Sequence, residues 1–172
     1  MQEEVIQKSK KMLRLEPNLT DYEKVYKEFK WEDVHKEIDW FNDNKLNAAY
    51  NAVDRHAKTW RKNKVALYWE GVDKNKKFTF SELSNLSNKF ANVLKGLGIE
   101  KRDRVFILLP RIPPLYISFL GILKTGAIAG TMFAAFGPSG IRDRLQDSGA
   151  KVLITNAELR KRVDEIRYNF HH

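Results

Sequence analysis

Residues 103–136, DRVFILLPRIPPLYISFLGILKTGAIAGTMFAAF, decide the fold class of this chain. Val105–Leu109 is a short continuous apolar run closed by Pro110, the pattern of a strand buried on both faces. Pro113 and Pro114 suit a helix's first turn, where a missing N–H costs little. Leu115–Thr125 then reads as a mostly apolar helix, with Gly126 placed to end it, and Ile128–Phe133 as the next buried strand. A βαβ unit that is apolar in all three parts belongs in the middle of an α/β layer. A membrane span competes with this reading, because Lys124 alone is charged between Ile112 and Phe136. The proline pair and Gly121, Gly126 and Gly130 cut the run into pieces too short to span, and a central lysine costs about 3 kcal/mol. The core unit is the better reading, with no membrane partner.

The surrounding chain is long enough to bury a core. It has 172 residues, 42% of them hydrophobic and 12% aromatic, which excludes disorder as the general state. It has no cysteine, so disulfides, thiolate metal sites and thiol redox catalysis are excluded. Residues 1–18, MQEEVIQKSKKMLRLEPN, mix acids with bases and lack an apolar core, so no secretory signal is read and a cytoplasmic location is expected. The formal charge is +9, and the excess sits late: residues 65–172 carry 17 basic and 10 acidic side chains, against 14 and 12 in residues 1–64. A polyanion, a phosphorylated small molecule or a plain lysine-rich surface would each account for it. The basic residues form no continuous block and no nucleic-acid-binding motif, so nucleic acid is the weaker reading.

Two regions are expected, a helical N-terminal arm over 1–64 and an α/β region over 65–172. Residues 1–20 read as an exposed helix or arm ended by Pro17-Asn18. Thr20 or Asp21 caps a helix with Tyr22, Val25, Tyr26 and Phe29 along one side. The aromatic pattern continues through Trp31 to Phe41, as in a segment packed across a larger body. Asn47 caps a helix over Ala48–Ala57. Val65–Glu70 and Lys76–Phe80 read as a β-hairpin around a Gly-Asp-Asn turn. Ser81 caps the helix Glu82–Leu97, whose stripe is Leu83, Leu86, Phe90, Val93, Leu94 and Leu97. Past residue 136, Ser139 caps a short helix with Ile141 and Leu145 inward. Lys151–Thr155 is a further buried strand, and Asn156 caps a last helix with Leu159, Val163 and Ile166 on its apolar side.

No catalytic constellation appears. There is no Gly-x-Gly-x-x-Gly, no Walker sequence, no nucleophile elbow and no pair of adjacent glycines. His35 and His56 lie in different segments without metal-site spacing, and the terminal pair His171-His172 has no role.

The residues do add up to a resemblance. Asn47–Arg55 (NAAYNAVDR), Lys64–Glu70 (KVALYWE), Phe78–Leu83 (FTFSEL), Ala91–Gly98 (ANVLKGLG) and Asp103–Pro110 (DRVFILLP) occur in this order. Gly126–Phe136 (GAIAGTMFAAF) and Arg144–Thr155 (RLQDSGAKVLIT) follow. The series resembles AMP-forming acyl-CoA synthetases of the adenylate-forming superfamily, with Tyr50–His56 pointing to the acetyl-CoA synthetase branch. The resemblance implies an α/β fold, the N-terminal portion of the large domain of an adenylate-forming enzyme: helical N-terminal arm, β-hairpin, then a βαβα layer. It implies a parent acetate–CoA ligase using ATP with magnesium and CoA, through acetyl-AMP. The family's Ser/Thr/Gly-rich phosphate loop, ribose-binding Asp, hinge and C-terminal lysine have no counterpart in these 172 residues, so the chain alone is expected to be inactive.

Two CoA-binding regions carry over. The family's Phe-Gly-Gly-Phe loop, near the pantetheine arm, reads Phe133-Ala134-Ala135-Phe136 here, which adds a methyl at each glycine. Basic residues after the strand equivalent to Lys151–Thr155 contact CoA phosphate in the family, and Arg160, Lys161 and Arg162 fall there. Phe133, Ala135, Arg160, Lys161 and Arg162 are therefore the candidate CoA contacts; no catalytic and no metal residue is assigned. A fragment of another acyl-CoA synthetase, a split-enzyme subunit and a CoA- or polyanion-binding module remain as alternatives. The incomplete layer is expected to be marginally stable, or to associate with itself or with the missing C-terminal part.

Overall fold

The computed structural model describes residue 17 and residues 19–167. The expected helix or arm over 1–20 therefore falls almost wholly outside the described residues, as does His171-His172. The chain divides into two compact units between Ile38 and Asp39.

In the first unit, α1 (Tyr22–Glu28) is capped by Asp21, whose carboxylate accepts the Lys24 N–H at 3.0 Å. Tyr22 and Tyr26 stack 5.9 Å apart on its surface, and Phe29 meets Trp31 edge-on at the start of α2 (Trp31–Val34).

The second unit opens with a helix that Asn47 caps, its side-chain oxygen accepting the Tyr50 N–H at 3.0 Å. One departure from the expected regular helix is that Tyr50–Asp54 winds as a π-turn before α3 (Arg55–Ala57). The hairpin pairs β1 (Val65–Glu70) with β2 (Asn75–Thr79) antiparallel, with a bulge between Val65 and Leu67. Helix α4 (Phe80–Gly96) starts earlier than expected. Thr79, not Ser81, is its N-cap, because Glu82 reaches back to the Thr79 N–H at 2.8 Å while the Thr79 hydroxyl accepts the Glu82 N–H at 3.2 Å. Its buried face is also rotated. Leu83, Ser84, Ser87, Ala91 and Leu94 turn inward, whereas Val93 and Leu97 are exposed.

A three-stranded parallel sheet follows, in the order β4-β3-β5. Strand β3 (Arg104–Leu108) is central, and its Val105, Ile107 and Leu108 are fully buried. Strands β4 (Ile128–Met132) and β5 (Val152–Thr155) pair with it in register Arg104 to Ile128 and Val105 to Val152. The expectation of a buried strand over 128–133 holds only in part: Met132 is buried, but β4 is an edge strand, Ile128 is 53% exposed, and Phe133 lies past the strand's end. Helix α5 (Pro113–Thr125) ends at Gly126, whose φ of 79° is left-handed, where a side chain would be strained. Helix α6 (Pro138–Ser148) begins on Pro138, with Gly137 as its cap and no side-chain hydrogen bond there, so Ser139 is not the cap. Helix α7 (Ala157–Asp164) is capped by Asn156, which accepts the Leu159 N–H at 2.9 Å.

Alternation along β3 builds two cores. Val105, Ile107 and Leu109 pack with Leu94 of α4 and Ile122 of α5. Leu108 and Phe106 pack with Ile141 and Leu145 of α6 and Leu159 of α7. The helices thus cover opposite faces of the sheet. No described helix is long and apolar enough to cross a membrane.

Candidate functional site at the carboxyl ends of the strands

Strand β3 leads into α5 on one face, and its neighbour β4 leads into α6 on the other. Where adjacent strands send their connections to opposite faces, a crevice opens at their carboxyl ends, and ligands in open α/β sheets bind there. A cavity of about 530 Å³ lies at this point, walled by Leu109, Leu115, Tyr116, Met132 and Phe133, with Arg111 beside them. Trp69 of the hairpin donates its indole N–H to the Arg111 carbonyl at 2.7 Å and so secures the β3–α5 loop.

The other lip is the segment Phe133–Phe136, closed as a turn by the Phe136 N–H donating to the Phe133 carbonyl at 3.0 Å. The Phe133 and Phe136 rings meet edge-on, and the Arg144 guanidinium lies 4.2 Å from the centre of the Phe136 ring. Phe133 is 67% exposed and Ala135 is also exposed. Neither Ala134 nor Ala135 takes a positive φ, so this backbone shape does not require glycine at either place.

The candidate cations of α7 divide. Arg162 is half-buried, and its Nη1 donates to the Ala134 carbonyl at 2.6 Å and to the Phe136 carbonyl at 3.1 Å. Arg160 and Lys161 are exposed, and Arg160 pairs with Asp164 one turn on at 3.4 Å. The structure therefore joins the Phe133–Phe136 segment to α7 through Arg162, while Arg160 and Lys161 face solvent. At the carboxyl end of β5, the buried Thr155 hydroxyl has no hydrogen-bond partner.

Reasoning from sequence missed one cluster. Lys124 of α5 donates to Asp54 at 2.7 Å and to the Asn88 side chain at 2.8 Å, while the Ser84 hydroxyl donates to the same Asp54 oxygen. The Lys124 and Asp54 side chains are 8% and 15% exposed. The signal was there, since one lysine in an otherwise apolar helix implies a buried partner. Beside this cluster lies a polar cavity of about 320 Å³ lined by Tyr50, Lys58, Ser84 and Asn88. His56 packs on the Phe80 ring, and burial, then Arg55 and Arg61, pull its pKa below the ordinary histidine value. Among the described residues no three His, Cys, Asp or Glu side chains are grouped to hold a metal ion.

Comparison with known proteins then decides the lineage: residues 53–170 match the AMP-binding enzyme family. The chain belongs to the AMP-binding enzymes. Its relatives in this family include the acetyl-coenzyme A synthetase of Bacillus subtilis, 49% identical over 147 residues, a match covering 85% of this chain and 26% of the relative. The 3-hydroxypropionyl-coenzyme A synthetase of Sulfurisphaera tokodaii is 45% identical over 136 residues, covering 73% and 21%. Among solved structures, an acyl-CoA synthetase from Brucella canis superposes with a TM-score of 0.78 at 33% identity, covering 84% of this chain and 26% of the other. The anthranilate CoA ligase AuaEII, solved with anthranoyl-AMP, gives 0.63 at 33% identity, covering 70% and 22%. The chain thus spans about a quarter of the length of the relatives it matches.

Proposed function

We propose that this chain forms the first α/β layer of an acid–CoA ligase acting on acetate. In that reaction acetate attacks the α-phosphorus of ATP, held with magnesium, to give acetyl-AMP and pyrophosphate. The CoA thiol then attacks the acetyl carbonyl, forming the thioester and releasing AMP. The observation that carries this reading is the 49% identity to the Bacillus subtilis enzyme over 85% of the chain. The cytoplasm is the proposed setting, and the rest of a ligase, or a second copy, the proposed partner.

Within this reading the chain supplies binding surface for CoA. The Phe133–Phe136 turn borders the pantetheine arm, and Arg160 and Lys161 on exposed α7 offer positive charge to the phosphates. The donor chemistry suits the ligand: an apolar slot for the arm and solvated cations for its phosphates. ATP fits less well, because these 172 residues contain no glycine-rich phosphate loop and no Pro-Lys-Gly segment. Purified alone, the chain is therefore expected to give no acetate-dependent exchange between ATP and pyrophosphate above a blank. Exchange above the blank would refute the assignment of those steps to residues outside this chain. Titration calorimetry with CoA tests the binding role. Binding is expected, weakened by Arg160→Ala with Lys161→Ala; a folded wild type with no heat of binding would refute it. A second reading, a different short acid, is favoured by the similarity to an enzyme named for 3-hydroxypropionyl-CoA.

A further inference from the structure

We infer that Arg162 is a positioning residue that fixes the shape of the Phe133–Phe136 turn for a phosphopantetheine thiol, rather than a cation that contacts the ligand's phosphates. This inference rests on the reading of that turn as a CoA-binding surface. Three neighbouring cations on one helix look interchangeable in sequence, but the structure uses them differently. The two hydrogens on Nη1 of Arg162 are spent on the Ala134 and Phe136 carbonyls, at 2.6 and 3.1 Å. These carbonyls bracket Ala135, the exposed residue at the tip.

The turn's other restraints are mostly apolar: Ala134 and Phe136 pack against the α6–α7 core, and the Phe133 and Phe136 rings meet edge-on. One backbone hydrogen bond, Phe136 N–H to the Phe133 carbonyl, closes it, and Arg144 lies over the Phe136 ring. It connects an edge strand to α6, whose N-terminus has no side-chain cap. Apolar packing seats the side chains of Ala134 and Phe136, while the guanidinium that reaches from α7 fixes their carbonyls and so the backbone shape around Ala135. That contact also couples the separation of α7 from the crevice to the shape of the turn. Lys161, and Arg160 on leaving its exposed pairing with Asp164, then remain the charges for an anion.

The test separates holding from charge. In wild type, Arg162→Ala, Arg162→Lys and Arg160→Ala, amide hydrogen exchange is followed at residues 134–137, and CoA affinity is measured at low and high salt. Loss of two charge-assisted hydrogen bonds should speed exchange at Phe136 by about tenfold or more in Arg162→Ala. Arg162→Lys should restore part of the protection, because an ammonium also supplies two donors from one atom, and Arg160→Ala should leave it unchanged. CoA affinity should fall in Arg162→Ala with the salt dependence retained, whereas Arg160→Ala should flatten the salt dependence. Unchanged exchange in Arg162→Ala, or a flattened salt response equal to that of Arg160→Ala, overturns the inference. If Arg162→Ala does not fold, Arg162→Lys decides: exchange faster than wild type but CoA salt dependence retained supports positioning, and the reverse overturns it. A wild type that binds no CoA would sink the functional reading, while the exchange experiment would still decide whether Arg162 holds the turn.

Discussion

The two faces of the parallel sheet are held in different ways. On the α4–α5 side, a closed apolar core is backed by a nearly buried ion pair. Lys124 is satisfied by Asp54, Asn88 and the Ser84 carbonyl, so its charge is committed to the fold. On the α6–α7 side, the core is also apolar, but the cations at its rim are exposed or are given to loop carbonyls. Both faces use a cation to join segments far apart in sequence, Lys124 to Asp54 on one and Arg162 to the Phe133–Phe136 turn on the other. Only the α6–α7 side also carries exposed cations on α7, Arg160 and Lys161. That difference separates Lys124 and Arg162, which are committed to the fold, from the exposed Arg160 and Lys161 better than charge counting does.

Breaking the ion pair should have the largest effect. Lys124→Ala leaves the Asp54 carboxylate nearly buried and short of its cation, and should cost about 3 kcal/mol in urea denaturation. Replacing both, as Lys124→Met with Asp54→Leu, should recover most of that loss. A single substitution as mild as a surface change would show that the pair does not distinguish this face. On the other face, Gly130→Ala would place a Cβ about 2.6 Å from the Phe106 ring. Overpacking there should cost roughly 2 kcal/mol, read as a lower denaturation midpoint.

A smaller, pH-dependent effect is expected at the amino end of the sheet, where the two faces meet. Asp103 accepts from Lys151 and from the Glu100 N–H, both at 2.8 Å. Those hydrogen bonds, Lys151's first, hold its pKa below the ordinary 3.8. A carboxylate so depressed contributes stability that is fully present above its ordinary pKa and is lost as the pH falls through the lowered folded value. Asp103→Asn should therefore flatten the acid limb of a stability profile below about pH 4. An unchanged limb would mean that this contact contributes little. The smallest effect should have the opposite sign. Thr155→Val removes a buried hydroxyl without a partner and should raise stability by up to about 1 kcal/mol. A loss would show that the hydroxyl is satisfied in the free chain and contributes to its stability.

The βαβ unit was legible in the chain because its signals are local: a continuous apolar run, a proline pair at N1, and glycine in the left-handed region at residue 126. What escaped was set by distant contacts or by near-equal local choices. Sheet order depends on pairing between segments far apart, so Ile128 read as buried although it lies on an edge. Thr79 and Ser81 both offer a capping hydroxyl, and the reach of Glu82 decides for Thr79. The Lys124–Asp54 pair spans 70 positions. At the candidate site, the family resemblance offered Arg160, Lys161 and Arg162 as equivalent cations, and the different contacts that they make were not legible. Helical spacing from Leu159 could have shown it, since Arg162 follows three positions later on the inward side.

The most direct test of the account is a titration of the chain with CoA and, separately, with pantetheine, followed by backbone amide shifts. Saturable shifts are expected at residues 109–116, 131–137 and 157–162, with pantetheine binding more weakly because it lacks the phosphates that Arg160 and Lys161 would meet. No shifts in those segments on a folded chain, or shifts centred instead on the cavity around Lys58 and Ser84, would contradict the CoA-binding role.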